Sequence, residues 1–435
     1  MSTRRIHVRI GAAATPVGEL MVDAMGTKET STFSYDPSWL AAKNAFALAP
    51  HLPLTATPFY TNKAVDGSSL PSPISDGSPD SWGRAIIKAA LGGRGTSDLD
   101  YLLESDDFLR SGALRYYDSS EAEAPALAVP REGPGRVSIP RLLDLHQVIA
   151  EARAFEADPT NYRERRAELV GGGLLKIAVG TLGGARPKVN ALDEEGALWI
   201  VKLAKIDDQY AIARAEVMAL RLAERVGILA STADVLPSGQ RFPVALVKRF
   251  DRSGEARIPF ISAQTFMGLP GAEPGNYVDV ALQMRAHSLD PKADMLELYR
   301  RLMFNVLVQN TDDHLRNLGF LYRGRGKWGL SPAFDINPVP EEGSTLKTAI
   351  SEIHGNAPEI ESVVEVAPYF ELTEDEGREL AGEMATTIRD EWRQIGASVG
   401  MTSLDFRSIT PAMSNPQMDR AIEMNSVAVP GRAAQ

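Results

Sequence analysis

The chain has 435 residues, 44% hydrophobic and 24% charged, proportions that predict two or three globular units with buried cores. Its 46 Lys and Arg against 57 Asp and Glu give a net charge of −11, so direct contact with nucleic acid would need a local basic patch. The absence of cysteine excludes disulfides, thiol nucleophiles and cysteine-ligated zinc, and fits a reducing, cytoplasmic setting. The first eleven residues lack the apolar run of a signal peptide, and no window reaches the roughly 20 apolar residues of a membrane span. A soluble protein without membrane contact is expected.

Alternation of Ile6, Val8 and Ile10 with His7 and Arg9 predicts a first strand. Residues 31–35 continue as strand into a Pro37-marked turn, and Ser81 to Leu91 opens a helix. Residues 1–118 read as a β-rich subdomain. Residues 119–137, with Pro125, Pro130 and Pro134 and no period, read as a linker. Residues 142–166 have helical spacing that Gly171–Gly173 breaks, and strands are predicted at 176–179, 188–192 and 198–203. Gln209 to Gly227 is an amphipathic helix with Ala215, Met218, Leu222 and Val226 on one face, and Val244 to Phe250 is a strand. Residues 138–255 form a second unit. Residues 256–405 are mainly helical, with Met295 to Asn310 the clearest helix and a strand pair at 319–322 and 328–330. The tail, 406–435, is polar, weakly periodic and expected to fray.

Between two predicted strands lies Gly180-Thr-Leu-Gly-Gly-Ala-Arg-Pro-Lys188, whose glycines at 180, 183 and 184 allow close backbone approach to a phosphate. An ordinary glycine-rich hairpin has the same composition. Lys202 sits inside the apolar strand Trp199-Ile-Val-Lys-Leu203, with Glu216 on the helix 14 residues later as a candidate partner. A strand lysine held by a helix glutamate and aimed at nucleotide phosphates is the protein-kinase arrangement. The sharpest signal is Asn310-Thr-Asp-Asp-His-Leu-Arg-Asn317. Asp312 and Asn317 have the D-x-x-x-x-N spacing in which an Asp accepts a hydroxyl proton and an Asn holds magnesium. Asp335, 18 residues after Asn317 in Ala333-Phe-Asp, stands where a second magnesium ligand belongs. A polar helix-capping turn is the alternative for the Asp/Asn cluster, and His314 serves either to orient this loop or to cap it. The order of these elements along the chain carries the kinase reading. No G-x-S-x-G or H-E-x-x-H occurs, and the six histidines are scattered.

These residues resemble the HipA family, serine/threonine-kinase toxins of type II toxin–antitoxin modules. Pro79-Asp-Ser-Trp-Gly-Arg84, Gly112-Ala-Leu-Arg-Tyr116, Val247-Lys-Arg-Phe-Asp-Arg252, the Thr-Asp-x-His-x-x-Asn loop and Phe334-Asp335 carry the resemblance. It implies an α+β, protein kinase-like two-lobed fold with a β-rich N-terminal subdomain. It further implies Asp312 as catalytic base and Asn317 and Asp335 as Mg²⁺ ligands. Gly183, Gly184, Ala185, Lys188, Lys202, Lys248 and Phe250 would bind ATP, with Glu216 and His314 in support. Thr181 would stand at the family's autophosphorylation site. The implied substrate is an aminoacyl-tRNA synthetase, and the implied partner is a HipB-like helix-turn-helix antitoxin that makes most DNA contacts. A catalytically silent antitoxin-binding scaffold, or a kinase with a small-molecule acceptor, are the alternatives that the sequence leaves open.

Overall fold

The computed structural model describes residues 2–25, 28–63, 67–91, 96–118, 121, 125–127, 139–162, 175, 178, 186–239, 241–271 and 273–427. The chain forms two compact units. One comprises Met1–Asp207, Ser238–Arg241 and Leu246–Glu273, the other Asp208–Pro237, Phe242–Ala245 and Pro274–Gln435.

The first unit opens with an antiparallel sheet of β1 (Ser2–Ile10), β2 (Thr15–Met25), β3 (Lys28–Tyr35), β4 (Phe59–Asn62) and β5 (Leu114–Tyr117), in the order β4-β3-β2-β1-β5. Period-2 alternation buries Ile6, Val8, Leu20, Val22 and Phe33 on one face. Gly18 is required on β2, because a Cβ there would lie 2.4 Å from the Ser34 carbonyl oxygen. Helices α1 (Ser81–Ala90), α2 (Asp98–Glu104) and α3 (Leu145–Ala157) follow. Asp80 caps α1 by accepting from Gly83 N at 2.7 Å, and Ser97 with Asp100 forms a capping box on α2. Arg84 of α1 donates to the buried Asp98 at 2.7 Å, and Trp82 packs edge-on against Phe155 of α3. The Pro-Asp-Ser-Trp-Gly-Arg motif is thus an N-cap followed by a core anchor and an ion pair. Next, β6 (Lys188–Leu192) and β7 (Leu198–Lys202) form an antiparallel hairpin. The helix expected over 142–166 ends at Ala157, before Pro159. Of the strand expected at 176–179 only Ala178 is described, and it is helical. Most of the expected linker lies outside the described residues.

The strand β8 (Val244–Lys248) ends two residues earlier than the sequence suggested. In the second unit α4 (Ile212–Arg225) buries Ala215, Met218, Leu222 and their neighbours. After α5 (Tyr277–His287), α6 (Pro291–Leu307) runs through the core, with Leu298, Leu302, Phe304 and Val306 completely buried. The hairpin β9 (Gly319–Gly324) and β10 (Lys327–Leu330) and the long α7 (Glu374–Ser398) complete the frame. The tail does not fray up to Val427. It forms α8 (Ser403–Met413) and α9 (Pro416–Val427), capped by Thr402 with Asp405 and anchored by buried Ile409, Met413, Met418 and Ala421. Its weak periodicity reflects short helices that bury few, well-placed residues.

Candidate active site

Helix α6 ends in a left-handed residue, Gln309 at φ 51°, and Asn310 N then donates to Asn305 O at 2.8 Å in a Schellman-type closure. This sharp stop delivers the Asn310–Asn317 loop. Two adjacent aspartates meet opposite fates there: Asp312 is exposed, whereas Asp313 is 6% exposed. Asp313 Oδ2 accepts from the Tyr277 hydroxyl at 2.7 Å, and Oδ1 accepts from Lys347 N at 2.8 Å and Thr348 N at 3.3 Å. Burial pushes Asp313 up to about 7, against the lowering effect of those hydrogen bonds. The Asn317 Nδ2 donates to the Asp312 carbonyl at 2.9 Å, and Asn317 N to His314 O at 2.7 Å, closing the loop on itself. His314 contributes this carbonyl, while its Nδ1 is buried without a hydrogen-bond partner among the described residues.

The Phe334-Asp335 segment is tied to the same loop. Asn305 Nδ2 donates to the Tyr277 hydroxyl, and Asn310 Nδ2 to Asn305 Oδ1, both at 2.9 Å. Asn310 Oδ1 in turn accepts from Asn337 N at 3.0 Å, and Asn337 Nδ2 donates to Asp335 Oδ1 at 3.1 Å. Asp335 holds a left-handed φ of 58°, a conformation that a non-glycine residue adopts only where its surroundings fix it. A cleft is lined by Asn310, Asp313, Asn317, Phe334, Arg301 and Tyr277, with Asp335 next in sequence to Phe334. Asn310 and Asp313 stand within the Asp/Asn loop motif that the sequence also reads as a capping turn, and Asn337 lies two residues past Phe334-Asp335. Nothing in the sequence marked Tyr277 or Asn305.

The donor set fits magnesium. Asn317 spends its Nδ2 on the Asp312 carbonyl and so keeps its amide oxygen for another partner, and Asn337 Oδ1 is buried with no donor among the described residues. A carboxylate with amide oxygens is the hard, sparse set that Mg²⁺ takes when phosphates and waters complete its shell. No cluster of three His, Cys, Asp or Glu side chains that could cage a metal occurs among the described residues.

In the first unit, Lys188 and Lys202 are direct cross-strand partners on β6 and β7. Lys188 is buried, with Nζ 3.5 Å from Asp80, whereas Lys202 is half-buried. Lys248 is exposed, its ammonium 5.9 Å from the centre of the Trp199 ring, and Phe250 packs against Phe260. Glu216 is buried in the second unit. Thr181, Gly183, Gly184 and Ala185 lie outside the described residues. The residues between and after Lys248 and Phe250 do something the sequence did not reveal. Arg249 forms a bidentate pair with Asp251 at 2.9 and 2.6 Å and donates to Leu109 O, Arg110 O and Asn190 Oδ1. Arg252 donates to Asp251 and to the carbonyls of Phe108, Arg110 and Gly112, and Gly112 N donates back to Asp251. The Val247–Arg252 motif thereby grips the Phe108–Gly112 turn through buried charges.

Two family models match this chain, the HipA N-terminal domain over residues 8–114 and the HipA-like C-terminal domain over residues 180–392. The chain belongs to the HipA family. The HipA-type fold extends over nearly the whole molecule. The HipA chain in the Shewanella oneidensis MR-1 toxin–antitoxin complex with HipB and operator DNA superposes with a TM-score of 0.65, covering 97% of this chain and 99% of that one at 16% identity. The fold is therefore α+β and kinase-like, as the resemblance implied. Among HipA-like sequences, Y4mE of Sinorhizobium fredii, which carries a kinase name, is 27% identical over 327 residues, 70% of this chain and 71% of that protein. Y4dM of the same organism, likewise named for a kinase, is 36% identical over 93 residues, a match that spans only 22% of its length. No described helix is long and apolar enough to cross a membrane.

Proposed function

We propose that this HipA-family chain is an ATP- and Mg²⁺-dependent serine/threonine protein kinase that acts as a toxin. In this reading Asp312, exposed at the tip of its loop, accepts the proton of the acceptor hydroxyl. Asn317 and Asp335 hold the magnesium ion through their oxygens. When bound, that ion neutralises charge on the phosphate oxygens. In the first unit, Lys202 and the 183–188 loop take the nucleotide phosphates, Lys188 being braced by Asp80, while Lys248 and Phe250 flank the adenine. Catalysis by these groups is positioning and electrostatics rather than covalent chemistry. Thr181 is the candidate site of autophosphorylation.

The observation that supports the reading most is the hydrogen-bond chain from the Tyr277 hydroxyl through the amides of Asn305, Asn310 and Asn337 to Asp335, buried at its Tyr277 end and half-buried at Asp335. It ties the segment carrying one proposed ligand to the loop carrying the proposed base and the other ligand. A capping turn alone would need no such link to a segment 18 residues downstream. The proposed partner is a HipB-like antitoxin, by analogy with the Shewanella complex, with DNA engaged through that partner. The proposed target is an aminoacyl-tRNA synthetase, and the proposed setting is the cytoplasm. Purified protein incubated with γ-labelled ATP and a panel of synthetases tests the reading. Label on a serine or threonine of one synthetase is the expected result. Label on a small acceptor, or none anywhere, would overturn it in favour of a different kinase or a silent scaffold.

A further inference from the structure

We propose that Lys347 is a further catalytic residue, the cation that meets the oxygens of the phosphoryl group as it passes from ATP to the acceptor. The assignment rests on the kinase reading above and deepens it. Transfer breaks the bond between the γ-phosphorus and the bridging oxygen, whose electron pair leaves with ADP. It forms a bond from phosphorus to the acceptor oxygen, whose proton goes to Asp312. Negative charge on the three peripheral oxygens must be met by fixed positive charge beside the base, a contribution that metal ions alone seldom supply in full.

The structure places one lysine backbone against the loop on both sides of Asp312. Lys347 N–H is shared between Thr311 O at 3.0 Å and Asp313 Oδ1 at 2.8 Å, so the residues before and after Asp312 both grip it. The segment itself is fixed. Leu346, Thr348 and Ile350 are buried in alternation, Thr348 Oγ1 donates to Asp313 O at 2.7 Å, and Ala349 exchanges backbone bonds with Gly275 and Tyr277. Period-2 geometry then sends the Lys347 side chain away from the core, and it is exposed. Among the described residues its ammonium has no hydrogen bond or ion pair, while its backbone N–H is held by the loop. Arg301, the cation lining the cleft, cannot take the role. Its guanidinium is committed to Glu297, Leu229 O and Ser331 O. Asp313 thus acquires a purpose: its buried carboxyl receives the amides of Lys347 and Thr348 and fixes the lysine's backbone against the loop that carries the proposed base.

Because Lys347 is exposed, its replacement leaves the fold intact, and the test can be read in binding as well as turnover. Calorimetry would compare MgADP with MgADP plus aluminium fluoride, which mimics the transferring phosphoryl group, on wild type, Lys347→Met and Lys347→Arg. The expected result is unchanged MgADP affinity in all three. Affinity for the fluoride complex should fall at least about tenfold in Lys347→Met and recover partly in Lys347→Arg, with phosphoryl transfer by Lys347→Met about a hundredfold slower. A fluoride complex held equally well by wild type and Lys347→Met would overturn the assignment while leaving the kinase reading standing. Wild type that binds neither complex would overturn both.

Discussion

Asp312 and Asp313 are the same side chain at consecutive positions, and environment alone separates them. Both belong to a motif legible in the sequence, yet spacing gave a reason to choose only Asp312. The burial of Asp313 depends on Tyr277, 36 residues upstream, and on the amides at 347 and 348, which no local pattern predicts. Its titration gives a test. The folded-state value of about 7 lies above the usual 3.8, so the protonated carboxyl's contribution to stability is complete below about pH 4 and is lost as pH rises through 7. Asp313→Asn, a neutral isostere, lacks this loss. Urea unfolding should therefore show wild-type stability declining relative to Asp313→Asn between about pH 4 and 8 and levelling off above it. A difference independent of pH would contradict the buried placement. The asparagine chain was equally hidden: Asn310 stands inside the loop motif and Asn337 two residues past Phe334-Asp335, but their mutual bond is a tertiary fact.

Among the elements, the stretch from β8 through Arg252 shows how one short segment serves two ends. Its strand was readable from an apolar run, and so was its polar exit. The sequence did not reveal that Arg249, Asp251 and Arg252 are buried and lock onto the Phe108–Gly112 turn, because charged residues are ordinarily assigned to the surface. Two recognised motifs thus meet at Gly112, whose N–H and carbonyl bond Asp251 and Arg252. Burial acts to raise the Asp251 carboxyl, but Arg249 and Arg252 hold it well below the usual range. Removing it strands two buried cations. Asp251→Ala should cost about 3–5 kcal/mol in equilibrium unfolding. A loss below about 1 kcal/mol would mean that the guanidinium groups are satisfied by the carbonyls alone. Periodicity found the helices α4 and α6 readily, since each has a sustained apolar face, and failed for the short C-terminal helices α8 and α9.

Over the whole molecule, the order of elements was legible and their grouping was not. The chain leaves the first unit at Asp207, returns to it at Ser238–Arg241 and Leu246–Glu273, and leaves again, a weave invisible to composition. The C-terminus shows the same limit. Residues 406–427 look like a tail in the sequence, yet α9 packs on α7, and Asn415 donates to Leu307 O at the end of the core helix α6. Asp405 at the start of α8 accepts from Ala211 N and Arg214, steadying the entry to α4. Truncation after Val399 should destabilise the second unit by at least about 5 kcal/mol, from the apolar side chains it uncovers. Thermal unfolding matching that of the full chain would contradict this packing.

The central claim is that the loop after α6 is a phosphotransfer loop with Asp312 as its base. The most direct measurement is transfer of labelled γ-phosphate by Asp312→Asn, with MgATP binding followed in parallel. The account predicts retained nucleotide affinity and a rate lower by about 10²–10⁴-fold, the usual contribution of a general base. Transfer at the wild-type rate would contradict it.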